Sequence, residues 1–414
     1  MQTSHPVGRH VLGELRGIDP ALLDDADGLR HALRTSLLAA GADVRQVIAE
    51  PFQPQGVTVV ALLAESHASI HTWPELGSAF VDAFTCGDGA DPVYAVRRLA
   101  LTLGADDAAI EVVDRGGAGR VDEPISPGLT RHWQLDAVRV RTRTALQEVL
   151  IADTAHGVTL FCDGERQSAE HTQLTYHEAL FVPAALLAER RERVLVIGSS
   201  EGVVSELAMA CGAVTVDHVD LDRECVRLCA EHLPYGYTPA ALAAAEAHAG
   251  PVRMHHDDGL AFVDKADGTW DVIVVDLPDE RPDEPGAQLN RLYTGDFLTR
   301  CAARLRRGGV VVSQAGSPAQ WRDATLRAAW DRFGAVFPHR AYVGSPEHEW
   351  AFVCGLPDAP PGDPAELVAA RLDGLGYAPR TLDAASLRAA LVPPLRLRRS
   401  LTRMEIDPAA RSSR

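Results

Sequence analysis

Two α/β domains in series are the architecture this sequence predicts: a small α/β domain, then, behind a linker, a Rossmann-like domain that opens on a small β-subdomain. Three observations carry the prediction. The length of 414 residues exceeds one ordinary core and suits two. Apolar stretches with strand spacing alternate with helically spaced ones along most of the chain. Between the two series, residues 114–128 (DRGGAGRVDEPISPG) concentrate Gly, Pro and charge, the composition of a linker.

Taken in order, 8–17 (GRHVLGELRG), 56–63 (GVTVVALL) and 79–85 (AFVDAFT) alternate or run apolar as strands do, while 26–40 and 91–103 have helical spacing. These define a first domain over 1–112, followed by the linker at 113–130. Three short strand-like stretches between 131 and 163 predict the β-subdomain. Then 193–198 (RVLVIG), 214–221 (VTVDHVDL), 271–276 (DVIVVD) and 309–314 (GVVVSQ) alternate with helical segments, which implies a parallel sheet with helices on both faces. That second domain runs over 131–355. Residues 356–414 form an extension, helical around 364–374 and 384–391, with a polar tail expected to fray.

Composition narrows the class. Hydrophobic content of 46% and charged content of 23% are those of a folded soluble protein. A formal charge of -17 disfavours nucleic acid as a partner, because phosphate binding needs a basic surface; it attracts cations, although solubility alone also accounts for it. The seven cysteines stand singly, without CxxC pairs, so neither a zinc site nor a disulfide framework is expected, and the compartment is a reducing one. No leader pattern and no membrane-spanning apolar run is found, so a cytoplasmic enzyme without metal is the expectation. The basic run at 395–403 is read as a solvated helix face.

The motif A64-E65-S66-H67-A68-S69-I70-H71-T72-W73-P74-E75, with F84-T85-C86-G87, GRHVLGELRG and FQPQG, resembles the self-processing region of prokaryotic S-adenosylmethionine (AdoMet) decarboxylases over about the first hundred residues. The chemistry needs such a device. Decarboxylating an α-amino acid leaves a carbanion, and side chains offer no electron sink for it. The resemblance implies a small α/β sandwich in which the Ser66 hydroxyl attacks the preceding carbonyl, and the resulting ester eliminates to leave a chain ending at Glu65 and a second chain beginning with a pyruvoyl group. It further implies that His71 moves a proton in the elimination, Cys86 returns a proton after CO2 leaves, Phe52 stacks on adenine and Glu75 binds the ribose hydroxyls. Thr58 stands where the family usually has a processing Ser. Taken singly, Ser66 and His71 are alternating strand residues, and Cys86 or Phe52 would pass as core.

Farther on, T144-A-L-Q147, L160-F-C-D163-G164-E-R-Q167, Y176-H177-E178, V194-L-V-I-G198, D220-L-D222, D257-D258-G259 and D276-L-P-D279 occur in the order typical of spermidine synthases, over about 131–355. The resemblance implies a methyltransferase-type Rossmann fold that transfers an aminopropyl group from decarboxylated AdoMet to a diamine such as putrescine, leaving methylthioadenosine. Asp276 is then the general base and Asp279 holds the acceptor amine. Tyr176 and His177 line the acceptor site, and Gln147, Asp220, Asp258 and Gly259 bind the nucleoside. The family's GGGDGG is G198-S199-S200-E201-G202-V203 here, so Glu201 replaces an Asp near the aminopropyl amine. Thr172 and Gln173 replace an acidic pair, and Glu280 replaces a proline. The whole reads as a bifunctional polyamine enzyme, expected as a homodimer or larger homo-oligomer. Two alternatives remain at this stage: a pyruvoyl decarboxylase acting on arginine or ornithine, and a second domain that only binds nucleoside or polyamine.

Overall fold

The alternating stretches at the amino end become one antiparallel sheet. The computed structural model describes residues 8–64, 66–86, 89–115 and 119–398. The chain divides into two compact units: residues to Arg120 with Gln134–Ala137, and Val121–Trp133 with Val138 onward.

The first unit holds β1 (Gly8–Arg16), α1 (Pro20–Leu23), α2 (Ala26–Ala39), β2 (Val44–Pro51), β3 (Val57–Leu63), β4 (His67–Trp73), β5 (Ser78–Cys86), α3 (Pro92–Thr102) and β6 (Asp107–Arg115). The strand order is β2-β3-β4-β5-β1-β6. One face of the sheet packs Val11, Leu15, Val57, Val59, Ile70 and Val81 against Leu29, Leu33 and Leu37 of α2 and Val96 and Leu99 of α3. Helix α2 starts where the Asp25 carboxylate accepts the Gly28 N–H at 3.0 Å. Among the described residues of this unit no helix covers the opposite face. On it Leu12, Ile48, Val60, Leu62 and Phe80 are 40% to 55% exposed, an apolar surface that a stable monomer seldom leaves bare.

The stretch expected as a linker is not all linker. β7 (Arg120–Ser126) and β8 (Leu129–Gln134) pair as a hairpin, because Pro127-Gly128, with Gly128 at φ +80, makes a tight turn. Trp133 Nε1 donates to Glu123 across it at 2.7 Å. The β-subdomain follows as the meander β9 (Ala137–Arg143), β10 (Glu148–Thr154), β11 (Gly157–Cys162) and β12 (Glu165–Ala169).

Next come α4 (Gln173–Leu187), β13 (Arg193–Gly198), α5 (Val203–Ala210), β14 (Thr215–Val219), α6 (Arg223–His232), α7 (Pro239–Glu246), β15 (Val252–His255), α8 (Gly259–Lys265), β16 (Trp270–Asp276), α9 (Gly295–Ala303), β17 (Leu305–Gln314), α10 (Ala324–Val336), β18 (His339–Gly344) and β19 (Ala351–Leu356). They form a seven-stranded sheet, β15-β14-β13-β16-β17-β19-β18. Cores on both faces bury α4 and α5 on one side and α9 and α10 on the other. Pattern alone implied a parallel sheet. One strand, β19, instead runs against the rest and pairs antiparallel with both β17 and β18, since only residues 345–350 separate β18 from β19 and so short a return cannot cross over.

The extension carries α11 (Pro364–Arg371), α12 (Ala384–Ala390) and α13 (Leu395–Arg398). Val368, Leu375 and Leu387 join the core beside α4. Buried Glu178 anchors it too, accepting from Tyr377 Oη at 2.6 Å and from the N–H groups of Arg380 and Thr381 at 2.8 Å. Arg396 is paired with Asp323. Among the described residues no helix is long and apolar enough to cross a membrane.

Candidate active sites

In the first unit Ser66 ends the β3–β4 turn. Its Oγ accepts the Cys86 N–H at 3.2 Å, so hydroxyl and thiol-bearing residue sit together at one end of the sheet. Glu65, the other side of the expected cleavage point, lies outside the described residues. His71 is five residues along β4. At about 3.3 Å per strand residue it stands about 16 Å from Ser66. There it pairs in register with Thr58, whose hydroxyl hydrogen-bonds His71 Nδ1. The His71 ring lies between Phe52, 5.3 Å away, and Trp73, 4.8 Å away. Glu75 is nearby in sequence, exposed, and accepts from Gln55 Nε2 at 3.1 Å. The structure therefore makes two clusters: Ser66 with Cys86, and Thr58 with His71, Phe52 and Trp73. One chain does not bring the two together.

The second unit has a cleft of about 1030 Å³ at the carboxyl ends of its parallel strands, where an open α/β sheet collects its loops. Gln147, Tyr176, His177, Glu201, Asp220, Asp258, Gly259, Asp276 and Asp279 all line it. The turn after β13 comes unusually close to the next strand. A Cβ on Gly198 (φ +82) would lie 2.0 Å from the Asp276 carbonyl oxygen, so only glycine fits. Gly202 (φ +85) abuts the Tyr237 ring in the same way.

Asp220 ends β14, buried, with Ser200 Oγ donating to it at 2.7 Å and the Asp222 N–H at 2.8 Å. Burial pushes its carboxyl up to about 7, against those hydrogen bonds. Gln147 is held by Asp222 at 2.9 Å, and Asp222 also takes the Thr144 hydroxyl at 2.7 Å. Asp258 caps α8 through the Ala261 N–H and is paired with Arg291 at 2.7 Å.

Asp276 sits at the end of β16. Tyr176 Oη donates to its Oδ1 at 2.6 Å, and His177 Nε2 is 3.9 Å from Oδ2. Glu201 does more than line the cleft: its carboxylate is 3.3 Å from His177 Nε2, so a buried imidazole lies between two acids. Burial opposes charge on His177, yet the Glu201 bond and the two carboxylates hold its pKa above the ordinary value. Burial also raises Asp276, with His177 and Tyr176 pulling it back only in part. Asp279 is raised by burial as well, and is engaged by Gln314 Nε2 and, at 3.5 Å, by Arg322. Glu280 is drawn away by Arg332. Thr172 and Gln173 start α4, and Gln173 Oε1 meets His177 Nδ1 at 3.3 Å.

Sequence reasoning passed over Ser200, Asp222, Arg291, Gln314 and Arg322. Each acts by touching a residue it did select: Asp222 meets Asp220 two positions away, within the D220-L-D222 motif, and the other contacts span 20 to 75 positions on the nucleoside side and 35 to 43 for Asp279. No spacing in the sequence marks the distant partners.

Two family models match the chain: S-adenosylmethionine decarboxylase over residues 9–116 and the spermine/spermidine synthase domain over 173–343. The chain is 44% identical over 110 residues to the S-adenosylmethionine decarboxylase proenzyme of Caldanaerobacter subterraneus subsp. tengcongensis, covering 27% of this chain and 89% of that protein. It is 48% identical over 127 residues to the proenzyme of Parasynechococcus marenigrum, covering 30% of this chain and 99% of the other. Among solved structures, spermidine synthase from Thermotoga maritima aligns with a TM-score of 0.57 at 17% identity, covering 67% of this chain and 92% of its own. A spermidine synthase in complex with the transition state analogue AdoDATO gives 0.58. At that identity the likeness is one of fold.

Proposed function

We propose that this chain, which belongs to the S-adenosylmethionine decarboxylase family through its first unit and carries a spermine/spermidine synthase domain behind it, is a bifunctional enzyme of polyamine biosynthesis. Its first unit converts AdoMet to decarboxylated AdoMet, and its second moves the aminopropyl group to a diamine, putrescine, giving spermidine in the cytoplasm.

For the second step, the observation that carries the reading is Asp276, a carboxylate of raised pKa held by Tyr176 in a cleft that Asp220 and Gln147 also line. The acceptor nitrogen forms its bond to the propyl carbon as the carbon–sulfur bond breaks. The bonding pair leaves with sulfur as methylthioadenosine, and the amine's proton goes to Asp276. Asp220, with its Ser200 bond, takes the ribose hydroxyls. Glu201, through His177, sets the charge beside the reacting carbon.

For the first step, Ser66 suits a self-derived pyruvoyl group: it stands at a strand head outside the ladder's interior, with its hydroxyl oxygen within bonding distance of the Cys86 amide. The pyruvoyl carbonyl supplies the electron sink for decarboxylation. Cys86 is placed to return a proton there. Thr58, His71, Phe52 and Glu75 lie too far along the same chain to serve that serine, and the open apolar face is available to a second copy. A homodimer in which each site takes Ser66 and Cys86 from one chain and His71 and Phe52 from its partner completes the constellation.

Intact mass of the purified protein, then incubation with AdoMet and putrescine, tests the whole reading. Two fragments meeting between Glu65 and Ser66, with CO2, methylthioadenosine and spermidine as products, are expected. An uncleaved chain rejects the first activity, and cleavage with CO2 but no methylthioadenosine rejects the second.

A further inference from the structure

We propose that His10, His67 and Asp82 form a binding site for one divalent transition cation of the zinc class, on the open face of the first unit's sheet. They come from three neighbouring strands, β1, β4 and β5. His10 and His67 both stand opposite Phe84 in register, one on either side, and Asp82 is two residues before Phe84, so its carboxylate falls between the two imidazoles. His10 Nε2 is 2.6 Å from Asp82 Oδ2, and His67 Nε2 is 3.4 Å from Oδ1. One donor atom from each residue lies within 4.8 Å of the other two. Phe84 packs against both rings, at 5.5 and 5.9 Å between centroids, and limits their rotation.

His10 satisfies one carboxylate oxygen. The other, Oδ1, is buried and has no hydrogen-bond partner, a state that is costly for an ionised group unless something positive meets it. A cation bound by this oxygen, His67 Nε2 and His10 Nε2 does so, His10 Nε2 releasing to solvent the proton it otherwise donates to Oδ2. Two neutral imidazoles and a carboxylate are the donor set of borderline transition cations, whereas magnesium prefers an oxygen shell. Metal–ligand bonds of about 2.0–2.2 Å place tetrahedral donors about 3.3–3.6 Å apart. Small rotations within the limits Phe84 sets would widen the 2.6 Å pair and draw in the more distant one. The cysteine pattern pointed away from a metal, and the spacing of 10, 67 and 82 gave no motif; strand register alone assembles the set. Since His67 directly follows Ser66, an ion here also fixes the head of β4.

The test uses untagged full-length protein, stripped with chelator and titrated with Co2+ by visible absorption and with Zn2+ by equilibrium dialysis. One ion per chain is expected, with affinity falling at least about 100-fold in His10→Ala and Asp82→Asn and unchanged in His31→Ala, an exposed histidine of α2. His67→Gln, a far poorer ligand that retains hydrogen bonding, keeps the test open if an alanine variant unfolds. Less than one ion per chain in the parent, or equal binding by the parent and the His67→Gln variant, overturns the proposal. Neither readout depends on decarboxylase or transferase turnover.

Discussion

In the second unit, nine candidate residues spread from 147 to 279 converge on one cleft, whereas in the first unit Phe52, Thr58, Ser66, His71 and Cys86 are divided between two clusters about 16 Å apart. The difference lies in the sheets. A doubly wound parallel sheet ends all its strands at one edge, and the loops there face one crevice, so residues distant in sequence meet. An open antiparallel sheet spreads residues along one strand at about 3.3 Å per position and cannot fold back on itself. In the proposed homodimer a second copy completes its constellation, over the exposed Leu12, Ile48, Val60, Leu62 and Phe80.

The bluntest way to separate the regions is Ser66→Ala. It is expected to abolish cleavage and CO2 release entirely, by intact mass and trapped CO2, while transfer from supplied decarboxylated AdoMet continues at the parent rate. Loss of both activities would sink the view that the two sites are independent.

Asp276→Asn should act in the opposite unit, lowering the transferase kcat about 10²–10⁴-fold and leaving cleavage untouched, the range for removal of a general base. Retention of full rate excludes Asp276 from that role.

Tyr176→Phe is a smaller change at the same carboxylate. Deleting the 2.6 Å bond removes a charge-assisted interaction of about 1.5–3 kcal/mol, so kcat should fall about 10–100-fold. The sign of the pH effect follows. The base works deprotonated, burial already raises its pKa, and the Tyr176 bond lowers it; without that bond the acid limb of the rate profile moves to higher pH. A limb that stays put or moves down shows that Tyr176 does not stabilise the charged carboxylate.

The gentlest test asks whether one chain suffices. His71→Ala and Cys86→Ala are each expected to be nearly inactive as decarboxylases. Coexpressed, they should recover about a quarter of parent activity, because random pairing makes half the dimers mixed and half of their sites intact. Asp276→Asn mixed with Tyr176→Phe should show no such rescue of the transferase. Rescue of neither pair means that the first unit works within one chain.

Strand alternation at 8–17 and 79–85, helical spacing at 26–40 and the four apolar strands of the second unit were legible because local burial periodicity writes them into the chain. Ser66, Asp220 and Asp276 stood out because the motifs around them resemble those of two families, and the resemblance implied a role for each. Local patterning could not reveal the β7–β8 hairpin inside a linker-like composition, nor the reversal of β19, since loop length and pairing partners settle those. Electrostatic detail was equally hidden. That Glu201 reaches His177, that Asp279 is held by Gln314 and Arg322, and that Asp82 stands between two histidines with a buried oxygen unmatched are consequences of register and crossover. The sequence by itself determined two domains, their order and the kinds of chemistry present. Tertiary structure alone decided which charges meet and which site one chain leaves open, because Coulomb and hydrogen-bond energies depend on distances in space that the chain's local periodicities do not encode.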